Sequence, residues 1–62
     1  MGKIKDCEND FDVYFDKKFM IKKKDLILRY PNYSKSVISR ALTNLRKKKK
    51  VGLARNKYWV RY

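Results

Sequence analysis

The chain of 62 residues has no histidine, one cysteine, one proline, two glycines and only six acidic residues. With no histidine and with Cys7 as the sole thiol, neither an internal disulfide nor a zinc ligand set can be assembled, so no metal is expected. Cys7 reads as a free thiol near a loose terminus. No apolar run approaches the roughly 18 residues needed to cross a bilayer. The opening stretch "MGKIKDCEND" carries acids where a signal peptide would be apolar, so the expected compartment is the cytoplasm. Catalysis also lacks its parts. There is no glycine-rich phosphate loop, and the carboxylates cluster without a basic partner beside them in sequence. No catalytic residue, no cofactor and no small-molecule substrate are therefore expected.

What the chain has in excess is positive charge, 18 Lys and Arg for a net charge of +12, well beyond what solubility requires and typical of partners that are polyanions. The excess is placed unevenly. In residues 1–16, Lys3 and Lys5 against Asp6, Glu8, Asp10, Asp12 and Asp16 leave −3; in residues 17–62, the other 16 basic residues against Asp25 alone leave +15. A membrane-surface role fits poorly, because the basic residues do not share a helix with one large apolar face.

A chain this short is one domain, burying only about 60% of the surface its unfolded form exposes. Residues 1–8 read as a short polar tail, a candidate for disorder, and residues 9–62 as the folded domain. "NDFDVYFDKKF" fits two periods: Phe11, Tyr14, Phe15 and Phe19 make a helix face, while Phe11, Val13 and Phe15 alternate with aspartates as a strand would. Acids in the first turn and Lys17 and Lys18 at the end suit a helix dipole, so helix is preferred, capped by Asn9 or Asp10. "KKKDLILRYP" reads as a short helix ended by Pro31, with Leu26, Ile27 and Tyr30 inward. Ser34 should cap a third helix, residues 35–49, with Tyr33 stapled onto Ile38. Gly52 should break that helix. The remainder, "VGLARNKYWVRY", reads as a hairpin of residues 51–55 and 57–62 with its tip at Arg55 and Asn56. Val51, Leu53, Tyr58 and Val60 are the expected core positions of this hairpin, and Trp59 is expected in the core or at an interface. The expected fold class is α+β, mostly α: three helices followed by a β-hairpin, a helix-turn-helix with a wing.

In the third helix Val37, Ile38, Ala41, Leu42 and Leu45 make an apolar stripe, and Ser36, Arg40, Thr43 and Lys47 lie opposite, flanked by Ser39 and Asn44. A merely solvated face would favour Glu and Gln with ion pairs four residues apart, yet no acid follows Asp25. Arginine and small hydroxyls instead match the donors and acceptors on base edges in a DNA major groove. Lys22, Lys23 and Lys24 crowd a helix N-terminus, where the dipole disfavours cations, and so point to phosphate. Lysines 47–50 say less, since cations suit any helix C-terminus. Arg55, Asn56 and Lys57 form the tip, where an arginine can enter a narrow minor groove.

"IKKKDL" followed by "SKSVISRALTNLRKKKKVGL" resembles winged helix-turn-helix transcription regulators over about residues 20–62. The resemblance implies that Ser34, Lys35, Ser36, Ser39, Arg40 and Thr43 lie on or near a DNA-reading surface and that Arg55 and its neighbours form the wing. Two features depart from the pattern: Lys49 occupies the position, four residues after Leu45, where the family usually has glycine, and the wing is very short. Small size and richness in Lys, Ile and Tyr also resemble accessory regulators of archaeal viruses or plasmids, and for a viral chain the expected cytoplasm is that of the host cell. The combined expectation is a sequence-specific binder of double-stranded DNA acting in transcription. Base contacts are expected from Lys35, Ser36, Ser39, Arg40 and Thr43, and backbone contacts from Lys22, Lys23, Lys24, Ser34 and Lys47. A homodimer is expected from the marginal size and from the aromatic-rich acidic first segment, which could cover Trp59 or its own copy. The alternative is a sequence-neutral nucleic-acid binder, either chromatin-like or an RNA-binding accessory protein.

Overall fold

The computed structural model describes residues 2–62. In chain order the elements are α1 (Lys3–Lys17), β1 (Met20–Lys22), α2 (Lys23–Arg29), α3 (Lys35–Lys47), β2 (Val51–Leu53) and β3 (Tyr58–Arg61). The strands form one antiparallel sheet in the order β1-β3-β2. The protein is thus α+β and mostly helical, as its sequence suggested.

Helix α1 starts six residues before Asn9, and neither Asn9 nor Asp10 caps it; Gly2 occupies the N-cap without a side-chain bond. Residues 3–8 are helical, not a tail, and the reason is visible in the spacing. Cys7, Phe11 and Phe15 recur every fourth residue and are all buried, so the apolar stripe begins ahead of the aromatic segment. Each phenylalanine so buried contributes about 1.5–3 kcal/mol of transfer free energy. Cys7 is correspondingly a core residue. Burial, reinforced by Asp10 and Glu8, pushes its thiol up to about 12, which keeps it from ionising near neutrality.

The helix also stops sooner than the aromatic pattern suggests. Lys18 turns to extended geometry, and Phe19 lies outside the helix, 68% exposed. Beyond it, Met20–Lys22 form a strand with no counterpart in the sequence reading, because three residues are too few to show alternation and their partner lies 38 residues further on. Met20 pairs with Val60, Ile21 with Trp59 and Lys22 with Tyr58.

Helix α2 buries Leu26 and packs Ile27 and Tyr30 against the core. The chain then turns through Pro31 to Ser34, whose Oγ accepts the Val37 backbone N–H at 3.2 Å and so caps α3. Tyr33 packs against the core and donates its hydroxyl to Asp10 Oδ2 at 2.6 Å, tying α1 to the turn before α3. The end of α3 differs from expectation in place and cause. It closes at Lys47, and Lys49, with φ 61°, takes the left-handed position of a Schellman-type cap: its N–H bonds Arg46 O at 2.9 Å and the Lys50 N–H bonds Leu45 O at 3.0 Å. Gly52 does not break the helix. It lies buried within β2, where a Cβ would collide with the ring and hydroxyl of Tyr62.

The hairpin is present with its tip at Arg55–Lys57, where Asn56 and Lys57 have φ 61° and 62°. Its inward face is the other parity from the one expected on β3. Register pairs Val51 with Arg61 and Leu53 with Trp59, and antiparallel partners share a face. Val51 and Ile21 are buried and Trp59 packs against the core, so Trp59 and Arg61 face the helices while Tyr58 and Val60 face away. Leu53, although of the inner parity, is 50% exposed because it lies toward the hairpin tip. No described helix is long and apolar enough to cross a membrane.

Candidate nucleic-acid interface

On α3 the apolar stripe faces inward, with Ile38, Ala41, Leu42 and Leu45 buried and Val37 half-buried. The opposite side carries Ser36, Arg40, Thr43 and Lys47, all exposed, with Lys35 exposed at its start and Ser39 half-buried beside it. Steps of four, three and four residues align the four side chains along one side, about 16 Å from first to last at 1.5 Å per residue. Among the described residues none of these four side chains enters a hydrogen bond or ion pair. Ser34 Oγ is used as an acceptor in the cap, which leaves its hydroxyl proton available to donate. Asn44 belongs elsewhere: its Nδ2 donates to Glu8 Oε2 at 3.0 Å, toward α1.

The lysines before and in the first turn of α2 are divided among elements. Lys22 ends β1 and its Nζ lies 5.0 Å from the centroid of the Tyr58 ring, while Lys23 and Lys24 open α2. Lys22 and Lys24 are exposed and Lys23 is half-buried. At the hairpin tip, Arg55, Asn56 and Lys57 are all exposed.

The basic run after α3 has a different surrounding. Lys48 Nζ pairs with Glu8 Oε1 at 2.9 Å and Lys50 Nζ with Asp12 Oδ2 at 3.2 Å. Arg61 Nη1 reaches Asp12 Oδ1 at 3.2 Å and Asp16 Oδ1 at 2.7 Å. Burial of Glu8 opposes its ionisation, but hydrogen bonds from Lys48 and Asn44 outweigh that and hold its carboxyl below the ordinary range. Asp12 is likewise held low: desolvation is outweighed by Lys50 and Arg61. Glu8, Asp12 and Asp16 are spaced by four, a row on one side of α1, and that spacing was the signal in the sequence for a helix face made to receive cations. The acidic segment therefore neutralises part of its own chain's basic run. Lys47, on the other side of α3, is left out of that pairing.

An open groove of about 300 Å³ between α1 and α2 is lined by Asp10, Val13, Tyr14, Lys17, Arg29 and Tyr30, with the Arg29 guanidinium 4.6 Å from the Tyr14 ring centroid. Its arginine is stacked on an aromatic face, and its acid accepts from Tyr33. Among the described residues no three His, Cys, Asp or Glu side chains come together as a metal-holding group. The chain matches no protein-family model, no curated protein and no solved structure.

Proposed function

We propose that the chain is a winged helix-turn-helix protein that binds double-stranded DNA sequence-specifically, as a homodimer, and regulates transcription. In this reading α3 enters the major groove, the hairpin tip Arg55–Lys57 lies near the minor groove, and Lys22, Lys23 and Lys24 meet phosphates. The observation that carries it is the outer side of α3: Ser36, Arg40, Thr43 and Lys47 are exposed and without protein partners, whereas Lys48 and Lys50, just beyond the same helix, face carboxylates of α1. The order of elements supports it too, since a helix follows a short strand, a second helix follows across a five-residue connection, and a two-stranded hairpin comes last. Arg40 is long enough to bond guanine O6 and N7, while Ser36, Ser39 and Thr43 supply short hydroxyls to bases or phosphate. The dimer rests on small size and on half-sites, which two copies would read about 34–36 Å apart. Helix α1, considered in the sequence as spare surface for a partner copy, is largely engaged with α3 in its own chain.

Selection of bound duplexes from a random pool at moderate salt tests this directly. A strong motif with two-fold symmetry is the expected result. Binding that persists with a salt slope near −4.5 per domain, about five phosphates at −0.9 each, but enriches no motif would instead make the chain a sequence-neutral binder.

A further inference from the structure

The sheet presses one face on the helices and leaves the other open. By register the open face carries Met20 opposite Val60 and Lys22 opposite Tyr58. Tyr62 continues β3 with the same parity, and its ring lies over Gly52, where any side chain would collide with it. The missing Cβ thus allows an aromatic ring to rest against the sheet, yet Tyr62 remains 78% exposed. Met20, on the same face, is 51% exposed.

The strands and their immediate flanks carry charge of one sign. Residues 17–24 and 51–62, which supply all three strands and their flanks, contain eight Lys and Arg and no Asp or Glu. The aspartates that approach the sheet, Asp12 and Asp16, engage Arg61 on the covered face. A second copy placed here would set like charge against like charge. The complementary ligand is a polyanion that also offers flat apolar surfaces, and a single-stranded nucleic acid has both: unpaired bases to stack on rings and phosphates to meet cations. A duplex buries its base faces and cannot use the rings in this way.

We infer that the open sheet face binds single-stranded nucleic acid, stacking bases on Tyr62 and Tyr58 beside Lys22. The site shares Lys22 with the surface proposed for duplex DNA but not the α3 side, and because the variants tested below leave Lys22 intact the two readings fail independently. Gly52 is a positioning residue here, acting through the Tyr62 ring.

The test is fluorescence anisotropy of a labelled oligothymidylate of about 12 nucleotides, in the range a small single-strand site covers, with a labelled random-sequence duplex measured in parallel at the same salt. Loss of one stacked base is worth about 1–3 kcal/mol, so Tyr62→Ala should weaken single-strand binding by at least about fivefold. Gly52→Ala, which displaces the ring without removing it, should do the same, and Tyr62→Phe should retain binding. Duplex affinity should change by less than about twofold in all three. If Gly52→Ala proves unfolded by circular dichroism, Tyr62→Ala and Tyr62→Phe decide the matter. Unchanged single-strand affinity in Tyr62→Ala overturns the inference, and so does an equal loss for duplex and single strand. Two further measurements on Tyr62→Ala assign the face elsewhere if they change while oligonucleotide binding does not: sedimentation with phosphatidylserine vesicles, for a membrane surface, and the sedimentation mass, for a second copy. Tyrosine-dependent single-strand binding without any duplex binding would keep this site and remove the function proposed above.

Discussion

Two regions of this small protein carry similar cations in opposite settings. Where α1 meets the chain after α3, Lys48, Lys50 and Arg61 each have a carboxylate within 3.2 Å. Along the outer side of α3, Arg40 and Lys47 have none among the described residues. A run such as "RKKKK" therefore has no single meaning: Lys47 is left to solvent, whereas Lys48 is held by a carboxylate 40 positions earlier in the chain. The teaching is that net charge locates a partner's sign but not its place. Only the cations left over after internal pairing are available to a ligand.

The largest effect expected from that contrast is on stability. Glu8 is 8% exposed and accepts from both Asn44 and Lys48, so Glu8→Ala removes two bonds to a charged acceptor and should cost about 2–3 kcal/mol in chemical denaturation. A cost below about 0.5 kcal/mol would mean that the pairing is ornamental, as exposed ion pairs often are. The same site sets a pH dependence. Glu8 and Asp12 have carboxyl pKa values lower folded than unfolded, so the folded state binds fewer protons than the unfolded one as pH falls. Their contribution is complete above the unfolded values, about 4, and is lost as pH falls through the lowered folded ones. Melting temperature should accordingly be flat with respect to these groups above about pH 5 and fall below it, with a shallower fall in Asp12→Asn.

On the other side of the comparison the effects belong to binding. If α3 reads bases as proposed, Arg40→Ala should reduce discrimination at one base pair by about 1–3 kcal/mol while leaving stability within about 0.5 kcal/mol of the parent. Competition between matched and mismatched duplexes measures it. Lys23→Ala should weaken all sequences alike and make the salt slope shallower by about 0.9, whereas Lys48→Ala, whose charge already faces Glu8, should leave the slope nearly unchanged. Equal slopes for the two variants would erase the distinction between neutralised and available cations.

The helices were legible where their signals are local, in Ser34 ahead of an apolar stripe, Pro31 after one and the phenylalanines at helical spacing, whereas Cys7, four residues before Phe11, carries the same spacing within a stretch that reads as a tail. The strands were legible in proportion to their length. Tyr58–Arg61 could be seen as β-forming, but its inward parity could not, since all four residues are half-buried with an aromatic ring on each face, Tyr58 beside Val60 and Trp59 beside Arg61, and only the pairing of Ile21 with Trp59 decides between them. Strand β1 was invisible because it exists by virtue of a partner far away in sequence. For the candidate site, the polar side of α3 was read in full from periodicity, while the fate of each lysine depended on carboxylates brought up by the fold. The spacing of Glu8, Asp12 and Asp16 holds the signal of a receiving row, but it goes unread when residues 1–8 read as a tail, and nothing local says which cations fill it.

The smallest expected effect concerns the junction between the two regions. Lys49 holds φ 61° at the end of α3, a conformation that costs a side chain about 1–2 kcal/mol and costs glycine almost nothing. Lys49→Gly should relieve that cost, offset in part by glycine's greater freedom in the unfolded chain, for a net gain of about 0.5–1 kcal/mol. In a domain of this size that is a rise of roughly 2–8 °C in melting temperature. Lys49→Ala separates backbone from charge: it removes the same ammonium group but keeps a Cβ, and should give little or none of the gain. If both variants stabilise equally, the benefit comes from relief of repulsion within the basic run, and the left-handed cap is not where the strain lies. Gly52→Ala provides the opposite sign three residues on, because there the added Cβ meets Tyr62 and the backbone has no positive φ to relieve.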